Sequence, residues 1–415
     1  MDAGPGRRQL SRYELVLRTA DIFRSGFVSD RMVITKFILN YQADRTLVIQ
    51  SERYGRHNYL PGWDQERFSR ATIILMGLGA LGNAAAQALA LAGSGHLILC
   101  DRDIIEPSNL SRAPLFRESD VGRRKVEAAR EALMTLVPGI RVDVCPGRFE
   151  HAIGLAEIRD ADLTLGCLDS RAARLELAGR CGLVGAAWID GATGPWSGEV
   201  RPYLDPDGPC YGCGLDDAAR AEDDAPRSCR LPADGLPNRP AGATAPLSLV
   251  IGAHMASMAI RHCMGLPINR DIKVFDGISG QITNVQQERD PDCPFHQKIT
   301  AAQPLRSNAS STVADLLAEL ENLLHHDQDN APAPLAWYPF SAGIHCRYCG
   351  YSEEMPTIGG EGSKPCPRCG KRVPIRTHLE LNRAPPAARL TDLGIAPREI
   401  LAVREDGRIR YVELS

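Results

Sequence analysis

The sequence predicts an α/β protein built on an open, mostly parallel sheet, with a small cysteine-bearing module near its C-terminus. Three observations predict it. Short apolar runs alternate with helical patterns between residues 71 and 190, the spacing of strand–helix–strand units. A glycine-rich turn follows the first of these runs and opens a helix. Two Cys-x-x-Cys knuckles lie within residues 336–380, a stretch of about 45 residues that is too short to build a core unaided. At 415 residues, two or three domains are expected.

Taken in order, residues 1–52 form an N-terminal extension of mixed pattern. Within it, 12–24 carry a partial helical pattern, and Met32–Leu39 fits a strand or a buried helix segment alike. Ala71–Met76 is a short apolar run that ends at glycine, as a buried parallel strand does. Residues 83–92 are rich in Ala and Leu and stop at Gly93-Ser94-Gly95, a helix with a glycine terminator. His96–Cys100 reads as a second strand ending at Asp101, and a helix is expected from about Arg123 to Leu136. Further strands are expected at 140–145, 163–167 and 186–190, with a helix at 171–183. The Pro/Gly/Asp-rich stretch 205–240 reads as a long mobile segment, followed by a helix at about 246–264. Residues 297–311 read as a linker. Val313, Leu316, Leu317, Leu320, Leu323 and Leu324 recur at helical spacing and make an amphipathic packing helix. A second linker, Asn330–Leu335, precedes the cysteine module, and Pro385-Pro386 separates the module from the end of the chain.

Composition narrows the function. Hydrophobic residues at 44% and charged residues at 24% suit a folded protein with a real core. A formal net charge of −3 provides no global basic field for nucleic acid or an anionic membrane. No run of eighteen apolar residues occurs, and the opening residues lack the apolar core of a secretory signal. A cytoplasmic protein is expected. An odd number of cysteines, 13, in such a chain disfavours a disulfide framework, and a reducing compartment keeps Cys-x-x-Cys pairs available to metal.

Gly77-Leu78-Gly79-Ala80-Leu81-Gly82 has the form of a phosphate-binding turn. Gly77 permits the tight bend, Gly79 lets phosphate approach the backbone, and Gly82 lets the helix pack on the sheet. Asp101 ends the next strand, where a carboxylate can accept from ribose hydroxyls. This pattern alone leaves NAD and ATP both open. Asn109, Arg112, Arg123, Arg124 and Lys125 gather beyond the second strand, and such fixed cations suit a reaction in which charge builds on a phosphoryl group. Asp169 follows the strand at 163–167 at its carboxyl end, well placed to hold magnesium against phosphate oxygens.

These segments carry a resemblance. Arg53-Tyr54-Gly55-Arg56-His57, Gly77-x-Gly79-x-x-Gly82, Asp101-x-Asp103, Ser108-Asn109-Leu110-Ser111-Arg112, Gly122-x-x-Lys125 and Leu168-Asp169-Ser170-x-x-x-Arg174 occur in order. Residues 53–296 thereby resemble the ThiF/MoeB superfamily of adenylating enzymes, which includes ubiquitin-activating enzymes. The resemblance implies a Rossmann-like adenylation domain over 53–300 with a crossover loop at about 214–245. It also implies ATP and magnesium, a ubiquitin-like protein whose C-terminal glycine is adenylated, and release of pyrophosphate. By the same resemblance Asp101 holds the ribose and Asp169 the magnesium. Asn109, Arg112 and Lys125 hold the phosphates, and Arg56 is donated across a homodimer interface. Ala113 departs from the pattern, standing where many relatives have glutamine.

Cys346-x₂-Cys349 and Cys366-x₂-Cys369, each followed by glycine, have the spacing of a structural zinc ribbon over 336–380. Cys210-x₂-Cys213 is half of another site. Spacing does not identify its complement; the resemblance does, pairing it with Cys293 and His296 as a Cys₃His zinc site. Of the other cysteines, Cys100, Cys145, Cys167, Cys181 and Cys263 fall in strands and helices. Cys229 lies in the mobile stretch between Arg227 and Arg230, whose charges favour thiolate. The resemblance places a thioester-forming cysteine in this region, followed by transfer to a conjugating enzyme.

The expected whole is an enzyme that activates a ubiquitin-like protein, of the kind found in bacterial conjugation operons linked to antiviral defence. Residues 301–335 are its linker and amphipathic helix and 381–415 a C-terminal tail, in which Leu390–Arg404 offers a docking segment for carrier or conjugating partner. A sulfur-carrier adenylyltransferase of thiamine or molybdopterin synthesis, and an NAD-dependent oxidoreductase, are the alternatives.

Overall fold

The structure, a computed structural model, describes residues 52–221, 242–324, 332–359, 362–405 and 407–415. The chain divides into two compact units, Met1–Trp63 and Asp64–Ser415. In the described part of the first, a 3₁₀ turn His57–Tyr59 holds the His57 ring against Tyr54 and Trp63, with centroids 5.5 and 4.1 Å away. The expected helix at 12–24 and the apolar run 32–39 lie outside the described residues.

The second unit begins with the sheet that the apolar runs announce. Its strands are β1 (Thr72–Met76), β2 (His96–Asp101), β3 (Arg141–Pro146), β4 (Leu163–Gly166), β5 (Trp188–Thr193), β6 (Ser197–Tyr203), β7 (Ile272–Asp276) and β8 (Ile282–Val285). They stand in the order β3-β2-β1-β4-β5-β6-β7-β8, the first five parallel and the last three antiparallel. Ile73, Ile74, Leu75 and Met76 are all completely buried, which explains why β1 is apolar throughout instead of alternating. The antiparallel strands β6 to β8 are additions the sequence pattern did not announce; every residue of β8 is exposed at the sheet edge.

The helices packed on this sheet include α1 (Ala80–Ala92), α2 (Lys125–Leu136), α3 (Leu155–Asp160), α4 (Arg171–Val184) and α5 (Ala245–Met264). Residues on alternate sides of each strand divide them. Leu175, Leu177 and Ala178 of α4 and Ile158 of α3 pack with Ile74, Met76, Ile98 and Trp188. On the other face α5 lies so close to α1 and β5 that a Cβ on Gly252 would meet Ala84, and one on Gly191 would meet Met255. Left-handed glycines end three of these helices, at Gly93 (α1), Gly185 (α4) and Gly265 (α5).

The expected linker, ribbon and tail are woven into a second sheet. Its strands are β9 (Gln303–Pro304), β10 (Ala333–His345), β11 (Ser352–Ile358), β12 (Ser363–Pro365), β13 (Arg372–Glu380), β14 (Ile400–Glu405) and β15 (Arg408–Glu413), in the order β12-β13-β10-β14-β15-β9 with β11 paired to β10. Helix α6 (Val313–Leu324) seats its apolar stripe, Val313, Leu316, Leu320 and Leu324, against Phe340, Leu381, Leu401 and Val412. Two expectations are corrected here. Residues 381–415 are no tail, because β14 and β15 pair with each other and with β10 and β9. Leu390–Arg404 does not present its apolar residues for docking, because Leu390, Leu393, Ile395, Leu401 and Val403 are buried in this core, Ile400 is buried against Leu155 and Ala156, and Ala396 is buried too. The linker expected at 297–311 likewise contains β9 and the buried Leu305, Ser307 and Ala309.

The second sheet is tied to α3 and α4. Arg180 of α4 and Glu399 meet at 2.9 Å with both side chains almost fully buried. The Tyr338 hydroxyl donates to Glu176, and Arg159 makes two bonds to Glu413 at 2.7 and 3.0 Å.

Candidate active site and metal centres

The strand order reverses between β1 and β4, and in open α/β sheets ligands bind at the carboxyl edge of such a switch point. The register brings Met76 level with Cys100 on one side and Gly166 on the other, so Gly77, Asp101 and Cys167 leave the sheet together. Gly77 has φ +96°, and a Cβ there would lie 2.5 Å from the Cys167 carbonyl oxygen. Gly82 meets the Gly77 carbonyl at 2.0 Å in the same sense. Beside Gly79, by contrast, no described residue stands within 4 Å of where a Cβ would lie, and this residue caps α1 without a side-chain acceptor. A 13-residue helix thus opens on a glycine with room beside it, and the first-turn amides of such a helix are the groups that receive phosphate.

Asp101 Oδ2 accepts from the Leu78 amide at 2.6 Å, and its Oδ1 from the Asp103 amide at 2.7 Å. Burial raises its carboxyl above the usual range, against the pull of Lys125. Lys125 opens α2, is itself buried, and places Nζ 2.8 Å from Asp103 Oδ2. Backbone pairing brings these two residues together: the Lys125 amide donates to the Asp103 carbonyl, and Ile105 exchanges bonds with Gly122 and Arg123. Asn109 is buried in a 3₁₀ turn and accepts from the Glu106 amide at 3.0 Å. Arg112 is half-buried, with Nη1 donating to the Ser108 carbonyl at 2.6 Å. Arg123 instead pairs with Asp120 at 2.8 Å and Glu131 at 2.5 Å.

Asp169 stands exposed between β4 and α4, beside Ser170, whose hydroxyl caps α4. A single exposed carboxylate at the phosphate-binding edge matches the donor set of magnesium, which takes one or two carboxylates together with substrate phosphates. Arg56 is exposed in the first unit. Cys229 and most of the expected crossover, 222–241, lie outside the described residues. Burial pushes the Cys145, Cys181 and Cys263 thiols up to about 12, and Cys100 and Cys167 up as well, so none of these is an activated nucleophile.

Both cysteine groups close into metal-sized clusters, with one donor atom from each residue and all donors within 4.8 Å of one another. In the first, Cys210 Sγ lies 3.7 Å from Cys213 and 3.5 Å from Cys293, and Cys213 Sγ lies 3.1 Å from His296 Nε2. In the second, Cys346 lies 3.6 Å from Cys369, and Cys349 3.7 Å from Cys366. Zinc–sulfur bonds of about 2.3 Å imply tetrahedral edges of about 3.8 Å, so these donors fit zinc. The glycines after the ribbon knuckles have a structural reason: Gly350 and Gly370 adopt φ +73° and +70°, letting their amides return to the Cys346 and Cys366 carbonyls.

Two residues were missed. Asn83, wholly buried in the Ala-rich α1, donates to the Leu78 carbonyl at 2.8 Å and accepts from the Leu115 amide at 3.0 Å. It thus stitches the glycine turn to the loop bearing Asn109 and Arg112; an asparagine in the first turn of an alanine helix was its signal. Gln287 donates to the Cys210 and Cys213 carbonyls at 3.0 and 2.6 Å, and nothing local in the sequence marks it.

The ThiF family matches residues 53–295 of this chain. The molybdopterin-synthase adenylyltransferase of Escherichia coli is 34% identical over 247 residues, 58% of this chain and 94% of that protein. The sulfur carrier protein adenylyltransferase of Thermus thermophilus is 29% identical over 254 residues, 59% of this chain and 89% of that protein. Among solved structures, E. coli MccB with MccA-N7isoASN is 22% identical, with a TM-score of 0.50, covering 59% of this chain and 74% of MccB; that likeness is one of fold.

Proposed function

We propose, for a chain that belongs to the ThiF family, ATP-dependent adenylation of the C-terminal glycine carboxylate of a small ubiquitin-fold carrier protein. The observation that carries this reading is the meeting of the open turn over Gly79, Asp101 and the Lys125–Asp103 pair at the carboxyl edge of the switch point.

In this reading Asp101 accepts from the ribose hydroxyls. The first amides of α1, with Asn109, Arg112 and Lys125, hold the triphosphate. The carrier's carboxylate oxygen attacks the α-phosphorus, the bond from that phosphorus to the bridging oxygen breaks, and pyrophosphate leaves with the electron pair. Fixed positive groups lower the barrier because negative charge spreads over the phosphates as this happens. Magnesium, held by Asp169, would supply further charge neutralisation. Arg56 completes the site from the partner in a homodimer.

Two fates of the adenylate are distinguished by observation. The named relatives are adenylyltransferases of sulfur-carrier and molybdopterin-synthase systems, which favours a carrier destined to receive sulfur. The Arg227-Ser228-Cys229-Arg230 sequence, with the residues beyond the family match, favours a thioester on Cys229 and transfer to a conjugating enzyme. The relatives are adenylyltransferases, which weighs against the oxidoreductase reading.

The test is exchange of labelled pyrophosphate into ATP with a carrier ending in glycine. Exchange that requires the carrier supports adenylation, and its absence with a range of such carriers contradicts it. A reductant-sensitive carrier adduct, lost in Cys229→Ala, selects conjugation.

A further inference from the structure

Directly beneath the nucleotide edge lies a buried polar group that the reaction described above does not use. Asp190 of β5 stands level with Gly166 of β4, is completely buried, and meets the Gly191 amide as its backbone donor. What faces it is charge: Arg174 Nε of α4 lies 3.3 Å from Asp190 Oδ1, and Arg201 stands nearby. A buried carboxylate of this kind asks for an explanation, because taking a charge out of water is costly.

Arg174 supplies one. Its Nη2 donates to the Leu168 carbonyl at 2.8 Å, one residue before Asp169. It also interacts with the side chain of Tyr211, which sits inside the first cysteine knuckle between Cys210 and Cys213 and is buried. The loop it holds has little slack. The Cys167 amide donates to the Met76 carbonyl at 2.8 Å, and the Cys167 carbonyl fills the space beside Gly77. Ser170 then fixes the start of α4 through the Ala173 amide at 3.2 Å. A guanidinium spreads its donors over three nitrogens in a rigid plane, so it can hold a carboxylate and a carbonyl apart in fixed directions, a geometry the compact ammonium of lysine does not reproduce.

We propose that Arg174 is a positioning residue, oriented by Asp190 and Tyr211, which joins the Cys210–Cys213 knuckle to the loop bearing Asp169 and so sets that carboxylate for magnesium. The inference rests on the reading of Asp169 as the magnesium residue. Loss of the knuckle's metal then loosens the magnesium carboxylate through Tyr211 and Arg174.

The test measures ATP binding, not turnover, on the full chain as magnesium is varied, for wild type, Arg174→Gln, Arg174→Lys, Tyr211→Phe and Asp169→Ala. Zinc content and thermal melting are recorded for each. Outer-shell changes typically cost about 10–100-fold in metal affinity. Arg174→Gln is therefore expected to raise the magnesium needed for half-maximal enhancement of ATP binding by about tenfold or more, leaving magnesium-free binding unchanged. Arg174→Lys restores it only in part, and Tyr211→Phe shifts it in the same direction with zinc retained. If Asp169→Ala abolishes the magnesium effect while folded Arg174→Lys and Tyr211→Phe leave it at the wild-type value, the positioning role is overturned and the magnesium reading stands. If Asp169→Ala changes nothing, both are overturned.

Discussion

Lys125 Nζ lies 2.8 Å from Asp103 Oδ2, with the lysine buried and the aspartate half exposed. The ammonium is thus held on the rim of the glycine turn before any phosphate arrives. It is a fixed charge, and fixed donors aimed at developing phosphate charge are worth about 10²–10³ in rate each. Lys125→Ala is expected to lose that much in carrier-dependent pyrophosphate exchange. Asp103→Asn, which keeps the lysine in place, should lose less. Equal losses would argue that the pair matters for folding and not for phosphate.

The glycines of the turn separate stability from binding. A Cβ on Gly82 would sit 2.0 Å from the Gly77 carbonyl oxygen, whereas beside Gly79 no described residue stands within 4 Å of where a Cβ would lie. Gly82→Ala should therefore lower the melting temperature and nucleotide affinity together. Gly79→Ala should leave melting unchanged and weaken ATP, since its methyl group occupies the phosphate approach.

Each cysteine cluster should carry one zinc. His296→Ala removes a donor 3.1 Å from Cys213 Sγ, and is expected to lower zinc from two to one per chain in a chromogenic chelator assay. His296→Cys should retain two, because four thiolates hold zinc equally well. Unchanged zinc in His296→Ala would remove histidine from the ligand set.

Arg180 and Glu399 form the most buried ion pair joining α4 to the second sheet among the described residues, with exposures of 2% and 3%. Removing one partner of such a pair leaves an uncompensated charge, at a cost of about 3–5 kcal/mol. Glu399→Ala should shift the urea midpoint accordingly. A shift below about 1 kcal/mol would show that water reaches the site and compensates the arginine.

Burial pushes the Asp190 carboxyl up to about 7, against the pull of Arg174 and Arg201. In an unfolded chain an aspartate titrates near about 3.9, so the folded state binds this proton more tightly. Its contribution to stability is complete below about pH 4 and is lost as pH rises through about 7. Asp190→Asn should therefore show a flatter decline in urea midpoint between pH 4.5 and 7.5 than wild type does. Parallel curves would mean the carboxyl is already ionised across that range.

How much of this was legible depended on sequence distance. The run Ala71–Met76, the glycine turn and Asp101 could be read because strand, turn and helix follow one another and each leaves its own period. The ribbon knuckles could be read because thiolate spacing and the following glycine are local geometry. The tail could not: β14 pairs Arg404 with Ala333, and β15 pairs Val412 with Gln303 more than a hundred residues earlier, so nothing nearby announces the partner. Leu390–Arg404 consequently read as a docking segment when its apolar residues are buried. The antiparallel extension β6–β8 escaped notice because half-exposed edge strands lack a continuous apolar run. Asn83 and Gln287 show the remaining limit, since a single buried amide acts through backbone groups that only the fold brings near.

The most direct measurement is a crystal structure with a non-hydrolysable ATP analogue and magnesium. The account predicts the triphosphate over the Gly79 turn, ribose hydroxyls on Asp101, Arg112 and Lys125 against phosphate oxygens, and the metal between Asp169 and the phosphates. Nucleotide bound elsewhere, or bound in the turn with Arg112, Lys125 and Asp169 remote from the phosphates, would contradict it.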